Sequence, residues 1–289
     1  MRLSPESVKE QIEVISTKRP AYKPLLDFFG QVRNAQFMVA AGGVAESSTY
    51  AARELGERHR AGLPLFDVAG FGLDLSKARP LFEGLCDLGL KSNEKMREAI
   101  PGIREAFPTD GASWEELMVN HYDAAYVGEC AGERGVDGQV LAFLVKETAR
   151  PFIELRAEDL VTLIDPERWR QVVCPVCGSC PAMVELREEG GKRYLHCGTC
   201  STAWRWKRLA CAYCAAADSD LLGYFMSEAE EEYRVDVCDG CHSYIKTVDR
   251  RALTYKPDMV IEDLSTLHLD MVAREKGYVR PAVMSPVSW

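Results

Sequence analysis

The sequence predicts a multi-domain chain of α plus small metal-bound β type: an irregular helical bundle, two tandem four-cysteine β modules, and a closing helix. Three observations predict it. Helical apolar spacing fills the first part of the chain, four Cys-x-x-Cys pairs crowd between Cys174 and Cys241, and helical spacing returns near the end. The expected segments are 1–167 (all-α), 168–209 and 210–255 (one four-cysteine module each) and 256–289 (helix and tail).

In the first segment, Ser4 and Pro5 supply an N-cap and a first-turn proline ahead of Val8, Ile12 and Ile15, which fall at i, i+4 and i+7. Pro24 to Ala41 is dense in Leu, Phe and Val and reads as a buried helix. Ser113-Trp114-Glu115-Glu116 reads as a capping box opening another helix through Leu117, Met118 and Tyr122. Val140 to Leu155 is a further helix, with Pro151 as a kink or boundary. Five to seven helices are expected, packed as an irregular bundle.

Beyond residue 168 the pattern changes to short strands and turns. Met183–Arg187 and Arg193–His196 flank Gly190-Gly191, a hairpin signal, since glycine accepts the positive φ of a tight turn. Leu221–Met226 and Tyr233–Val237 form a second strand pair across the acidic stretch 228–232. Nineteen residues separate Cys177 from Cys197, and 23 separate Cys214 from Cys238, so each half reads as knuckle, hairpin, knuckle. This is an internal repeat of a rubredoxin-like or zinc-ribbon unit. Sequential pairing of the knuckles, first with second and third with fourth, suits the hairpins better than a cross-braced arrangement. In the tail, Leu264, Leu267, His268, Met271 and Val272 make one apolar stripe, with Asp263 near the helix start and Gly277 at its end.

Cys174, Cys177, Cys197 and Cys200 are the expected ligands of one metal ion, and Cys211, Cys214, Cys238 and Cys241 of a second. Four thiolates fill a tetrahedral shell and leave no position for substrate, so the sites read as structural. Zinc and iron both accept the set, and iron would add one-electron chemistry. Cys180 is the odd cysteine of the cluster, either a spare thiol in a turn or a reactive thiol beside the metal. Cys86 and Cys130 read as small core residues. His196 and His242 adjoin ligand cysteines but stand outside a full set, His268 reads as a packing histidine, and His59 and His121 carry no motif. No catalytic set is visible, so no enzyme is expected.

The chain has 289 residues, of which 47% are hydrophobic, and 35 basic against 44 acidic residues give a net charge of −9. That balance opposes general binding to nucleic acid. Trp204, Arg205, Trp206, Lys207 and Arg208 are the one aromatic-basic cluster. They read as buried tryptophans covering the metal site with solvated charges outside; the alternative is a platform for nucleic acid. No stretch has membrane-spanning length and no signal-peptide pattern follows Met1, so a soluble cytoplasmic protein is expected. Eleven cysteines in that compartment point to metal rather than disulfides.

The run Cys174-Pro175-Val176-Cys177-Gly178-Ser179, then Arg193 to Cys197, Trp204, the Cys211 and Cys214 pair, and Cys238-Asp239-Gly240-Cys241 with Tyr244-Ile245-Lys246 resembles the FdhE-type formate dehydrogenase accessory proteins. Glu262–Leu267, Leu269-Asp270 and Glu275-Lys276-Gly277-Tyr278 extend the resemblance over residues 170–280. It implies a cytoplasmic maturation factor that binds the catalytic subunit of a molybdenum- or tungsten-dependent formate dehydrogenase through a metal-stapled scaffold, with two metal ions on the eight cysteines and no catalytic reaction of its own. Cys180 lies outside the shared pattern. An iron-based electron-transfer role toward the dehydrogenase and a nucleic-acid-binding zinc ribbon are the alternatives.

Overall fold

The computed structural model describes residues 3–43, 52–68, 71–228 and 230–281; Met1, Arg2, Ala229 of the acidic stretch and residues 282–289 of the tail lie outside them. Its helices are α1 (Pro5–Lys18), α2 (Lys23–Ala41), α3 (Ala52–Arg60), α4 (Leu75–Leu90), α5 (Glu94–Ala106), α6 (Ala112–Val119), α7 (Ala124–Arg134), α8 (Gly138–Leu160), α9 (Met259–Ser265) and α10 (Leu267–Glu275). Its strands are β1 (Pro181–Arg187), β2 (Lys192–Cys197), β3 (Ala203–Arg205), β4 (Leu222–Phe225), β5 (Tyr233–Cys238) and β6 (Ser243–Asp249). A helical region thus precedes a β region and two final helices. Eight α-helices precede residue 161 among the described residues, more than the five to seven expected. Side-chain caps at Asp74, Asn93 and Asp123 start α4, α5 and α7, and Gly135 at φ 64° ends α7, so short helices are divided by ordinary stop and start signals.

The chain forms two compact units. One comprises the described parts of 1–26, 50–66 and 157–289, the other those of 27–49 and 67–156. The second unit is all helical. Its core is Phe82 and Leu85 of α4, Ile100 and Ile103 of α5, Trp114 and Leu117 of α6, and Leu141 and Leu144 of α8, all fully buried. Phe82 meets Trp114 edge-on at 5.8 Å. Cys86 lies in the same core, where burial pushes its thiol up to about 12. Ser113 is not the N-cap of α6: the helix begins at Ala112 after Gly111, whose amide closes a turn on Pro108 O. That turn starts the helix ahead of Ser113, whose hydroxyl is 3.5 Å from Ala106 O.

Pro151 neither ends nor bounds α8, which runs on to Leu160. A proline has no amide to give the carbonyl four residues back, here that of Glu147. Gln36 of α2 supplies the missing donor, its Nε2 lying 2.8 Å from Glu147 O and 2.9 Å from Glu147 Oε2. Arg33 Nη1 in turn donates to Gln36 Oε1 at 2.9 Å and to Glu154, and Arg150 Nε donates to Glu147 Oε2 at 2.9 Å. All five side chains are buried. Burial works against the Glu147 charge, but Arg150, Lys146 and the bond from Gln36 hold its carboxyl below the usual range.

The first unit is built on one six-stranded sheet in the order β3-β2-β1-β6-β5-β4. Both hairpins expected from the sequence are present. β1 pairs with β2 from Pro181 opposite Cys197 to Arg187 opposite Lys192, and β4 pairs with β5 from Leu222 opposite Cys238. The first turn is closed by Glu188 at φ 58° and Gly191 at φ 61°, so only one of its two glycines takes a positive φ. β3 adds to β2, and β6 adds to β5. The two three-stranded antiparallel halves then join through one parallel pair, β1 with β6, from Met183 opposite Lys246 to Leu186 opposite Asp249. Each half is therefore a copy of the other displaced sideways along the sheet.

α10 covers the sheet with Leu269 and Ala273, against Tyr233, Val235, Tyr244 and Val248. The tail is two helices broken at Thr266, and the expected apolar stripe does not face inward: Met271 is 62% exposed, and Leu267 and Val272 are also exposed. The reason lies beneath the helix. Lys246 of β6 is 1% exposed, and its ammonium is neutralised by Asp270 at 2.6 Å and Asp263 at 2.8 Å. Tyr244 Oη also donates to Asp270, at 2.8 Å. Leaving Lys246 buried without its carboxylate partner would cost about 3–5 kcal/mol, so the face bearing Asp270 turns inward. α1 adds its stripe of Val8, Ile12 and Ile15, with Gln11 bonded to Glu262 and to Asp258 at both ends of its amide.

Replacing Gln36 by Leu should destabilise the protein by about 1–3 kcal/mol in denaturant unfolding, because Glu147 O is left buried without a donor. In a Pro151→Ala background the restored amide should take that carbonyl, and the cost of Gln36→Leu should fall. An equal cost in both backgrounds would show that Gln36 does not compensate for the proline.

Candidate metal centres

All four Cys-x-x-Cys segments share one backbone course. The residue after each second cysteine is left-handed: Gly178 at φ 76°, Ser201 at 58°, Ala215 at 59° and His242 at 52°. In three knuckles the first cysteine donates its amide to the carbonyl five residues on: Cys174 to Ser179, Cys197 to Thr202 and Cys211 to Ala216, at 2.8–2.9 Å. In the fourth, Cys238 faces Ser243 across the β5–β6 turn, again five residues on. This tight reversal turns both sulfurs of a knuckle to one side and leaves amides pointing at the first sulfur. Thr199 N and Cys200 N donate to Cys197 Sγ at 3.3 and 3.4 Å, and Tyr213 N donates to Cys211 Sγ at 3.4 Å.

The eight sulfurs form two groups, Cys174, Cys177, Cys197 and Cys200, and Cys211, Cys214, Cys238 and Cys241, each with all atoms within 4.8 Å of one another. First knuckle meets second and third meets fourth, because β1–β2 and β4–β5 fold each pair back together. Cross-hairpin Sγ separations are 3.5 Å (Cys174 to Cys200) and 3.4 Å (Cys177 to Cys197) in the first group, and 3.7 Å (Cys211 to Cys241) and 3.8 Å (Cys214 to Cys238) in the second. A tetrahedral ion with metal–sulfur bonds of about 2.3 Å sets its ligands about 3.8 Å apart, so both groups fit one ion each. In the first group burial pushes the Cys174 and Cys200 thiols up. Burial also opposes the Cys197 thiolate, yet hydrogen bonds from the other three cysteines and the Cys200 amide bring it well below the usual thiol value. A cation at the centre would draw off the thiol protons and be neutralised by the thiolates it binds.

A sequence signal beyond the cysteines accompanies this geometry. Two residues past the second cysteine stand Ser179, Thr202, Ala216 and Ser243. Ser179 Oγ lies 3.4 Å from Cys177 Sγ and Thr202 Oγ1 lies 3.2 Å from Cys200 Sγ; Ser243 Oγ donates to Cys241 O at 3.4 Å, and although burial opposes the Cys241 thiolate, Ser243 helps to lower it. Each hydroxyl can donate to a thiolate and tune it. Only Cys214 has alanine there, and it is also the exposed member: all four cysteines of the first group are buried, while in the second Cys214 is exposed and Cys241 half-buried.

The other singled-out residues stand outside both groups. Cys180 is half-buried and joins neither, and Cys86 and Cys130 are buried core residues. His196 Nε2 is 2.8 Å from Glu185, a buried carboxylate lowered to about 2 despite burial, by His196 and Arg187. Burial lowers His196 itself. His242 occupies a left-handed turn position, and His268 bridges Tyr22 and Glu230. His59 has a role the sequence did not signal: its ring stacks on Trp169 at 5.7 Å, and its Nε2 accepts the Asp165 amide. His121 Nδ1 lies 2.9 Å from Met118 O. Trp204 and Trp206 are buried and Arg205 is exposed, as alternation predicts, and Trp206 Nε1 donates to Cys211 O of the second group.

Residues 173–208 match the family description "FdhE, central domain", and residues 209–286 match "FdhE, C-terminal domain". A "Protein FdhE homolog" from Aquifex aeolicus is 32% identical over 152 residues, covering 51% of this chain and 52% of that protein. "Protein FdhE" from Escherichia coli O1:K1 / APEC is 35% identical over 113 residues, 38% of this chain and 36% of that one. The match thus spans about half, or less, of these relatives' length. The crystal structure of the FdhE protein from Pseudomonas aeruginosa superimposes with a TM-score of 0.67 at 19% identity, over 99% of this chain and 97% of that chain, and so shares the fold.

Metal removal should be biphasic. A chromogenic chelator should take one equivalent from the group containing exposed Cys214 well before the buried group releases its own. Ala216→Ser, which adds the missing hydroxyl, should slow the fast phase, roughly tenfold if it acts as other outer-shell partners do. Single-phase release of both equivalents would contradict the assignment of unequal sites.

Proposed function

We propose that this FdhE-type protein is an accessory factor in formate dehydrogenase maturation, that it binds the catalytic subunit of that enzyme, and that it performs no reaction of its own. The observation that carries the reading is the coincidence of the FdhE match, residues 173–286, with both four-sulfur groups. Cys174, Cys177, Cys197 and Cys200 would hold one ion, and Cys211, Cys214, Cys238 and Cys241 the other, zinc or iron in each case. Four thiolates saturate a tetrahedral ion, so its contribution is folding free energy rather than an open coordination site. We take 168–209 and 210–255 as the two metal-binding repeats, 1–167 as the helical part and 256–289 as the closing part. The two metal-stapled hairpins would present a rigid face to the partner, and the helical part would supply much of the contact area.

The cytoplasm, where thiols stay reduced, is the compartment in which eight ligand cysteines remain available. Among the described residues no helix is long and apolar enough to cross a membrane, which accords with that placement. A second reading is favoured by one observation, the exposure of Cys214. With iron bound, a ligand sulfur at the surface would give an electron a short route to a docked enzyme. The first reading requires only that both ions hold the fold.

One experiment separates them. Protein purified anaerobically and loaded with metal should retain purified formate dehydrogenase catalytic subunit on an affinity column, and protein stripped of metal should not. Failure of the loaded protein to retain it would remove the accessory reading. Full support of dehydrogenase maturation by protein holding only zinc, which is redox-silent, would remove the electron-transfer reading.

A further inference from the structure

The first unit carries a second constructed feature. Between the β1–β2 turn at Gly190 and the segment that follows β3 lies a cleft of about 390 Å³. Trp169 and Trp206, both buried, supply apolar lining. Arg170, Lys192, Arg205, Lys207 and Arg208 surround it, and Glu167, paired with Arg205 at 2.7 Å, is its one acidic residue. In a chain of net charge −9 this is a local reversal of sign. Converging cations beside low-dielectric walls raise the local concentration of anions.

The cleft is braced from beneath. Arg193 also lines it, 5% exposed, and ties down the turn that carries Lys207 and Arg208 by donating to Ala210 O at 2.6 Å and Lys207 O at 3.4 Å. Asp236 of β5 holds the same guanidinium at 3.1 Å. Arg193 Nε is buried without a hydrogen-bond partner among the described residues. The Lys207 ammonium makes no ion pair or hydrogen bond among them either, and Arg208 reaches only Gly190 O, at 3.5 Å. The buried guanidinium thus fixes the turn that carries Lys207 and Arg208.

We propose that this cleft binds a phosphate-bearing small molecule, with the arginine and lysine side chains on the phosphates and the tryptophan-lined wall against an attached flat ring. Arginine forks match phosphate oxygens two at a time. The volume is that of a small-molecule site, which runs from about 300 to 1,000 Å³, rather than of a track for a polymer. The nucleoside di- and triphosphates are the class that combines both parts. None of the eight cysteines lines the cleft, although Trp206 Nε1 donates to Cys211 O, and the proposal does not depend on the accessory role.

The test uses the full-length, metal-loaded protein, with inorganic pyrophosphate and ATP as probes, followed by tryptophan fluorescence and calorimetry. Both should bind saturably at one site, more weakly as salt rises, and ATP more tightly than pyrophosphate. Lys207→Glu and Arg208→Glu should each weaken binding roughly tenfold or more, as loss of a charge-assisted phosphate contact does, while circular dichroism and metal content stay unchanged. Lys207→Arg should bind as the parent does. Absence of saturable binding at low salt, or binding that both charge reversals leave unaltered, would overturn the proposal. Equal or tighter binding of a polyglutamate peptide or of single-stranded DNA through the same residues would overturn it too, in favour of an acidic partner.

Discussion

The structure depends on aiming four sulfurs at one point, twice. A Cys-x-x-Cys segment can do this only if the chain reverses immediately after its second cysteine, and that reversal is left-handed at all four places. Glycine takes such a conformation freely, but Ser201, Ala215 and His242 do not, and each costs about 1–2 kcal/mol relative to an ordinary backbone. A structural four-thiolate ion contributes about 10–16 kcal/mol of apparent binding free energy in small modules, well above that strain. The hairpins, their register and the amides aimed at Cys197 and Cys211 follow from this reversal.

Metal alone would give two small beads. What makes them one sheet is the parallel pairing of β1 with β6, which places the first strand of one half beside the last strand of the other. That junction brings Lys246 beneath the closing helices and explains their orientation, since Asp263 and Asp270 must reach its ammonium. Arg193 adds a polar tie from β2 to Asp236 on β5, across the same junction. The sheet thus carries one four-sulfur group in each half and is cross-tied by buried charge between them.

The cysteines, their sequential grouping and both hairpins were legible because each rests on short-range spacing: knuckle interval, alternation and a glycine turn. The β1–β6 pair was not, because nothing within either strand names a partner about sixty residues away. The tail misled for a related reason. Its apolar stripe is real, but the decisive partner of Asp270 lies on another strand, and a buried lysine outweighs hydrophobic periodicity. Pro151 reads as a kink or boundary because a helix-breaking residue is visible in the sequence, whereas the bond from Gln36 that compensates for it is a long-range contact. The serine or threonine two places past three of the four knuckles is a local signal that the cysteine spacing alone does not carry.

Because the two halves are related by a sideways step, the sheet ends as it began. Its outer strands, β3 and β4, are the counterparts of β6 and β1, the two that join in the middle. Each molecule therefore displays, at opposite ends, the two halves of a contact it already makes internally, which is the geometry of an open fibre. β3 guards against that outcome with three residues of length and with positive charge at its end, Arg205, and just beyond it, Lys207 and Arg208. The same side chains that face the cleft thus also charge this edge against addition of another strand.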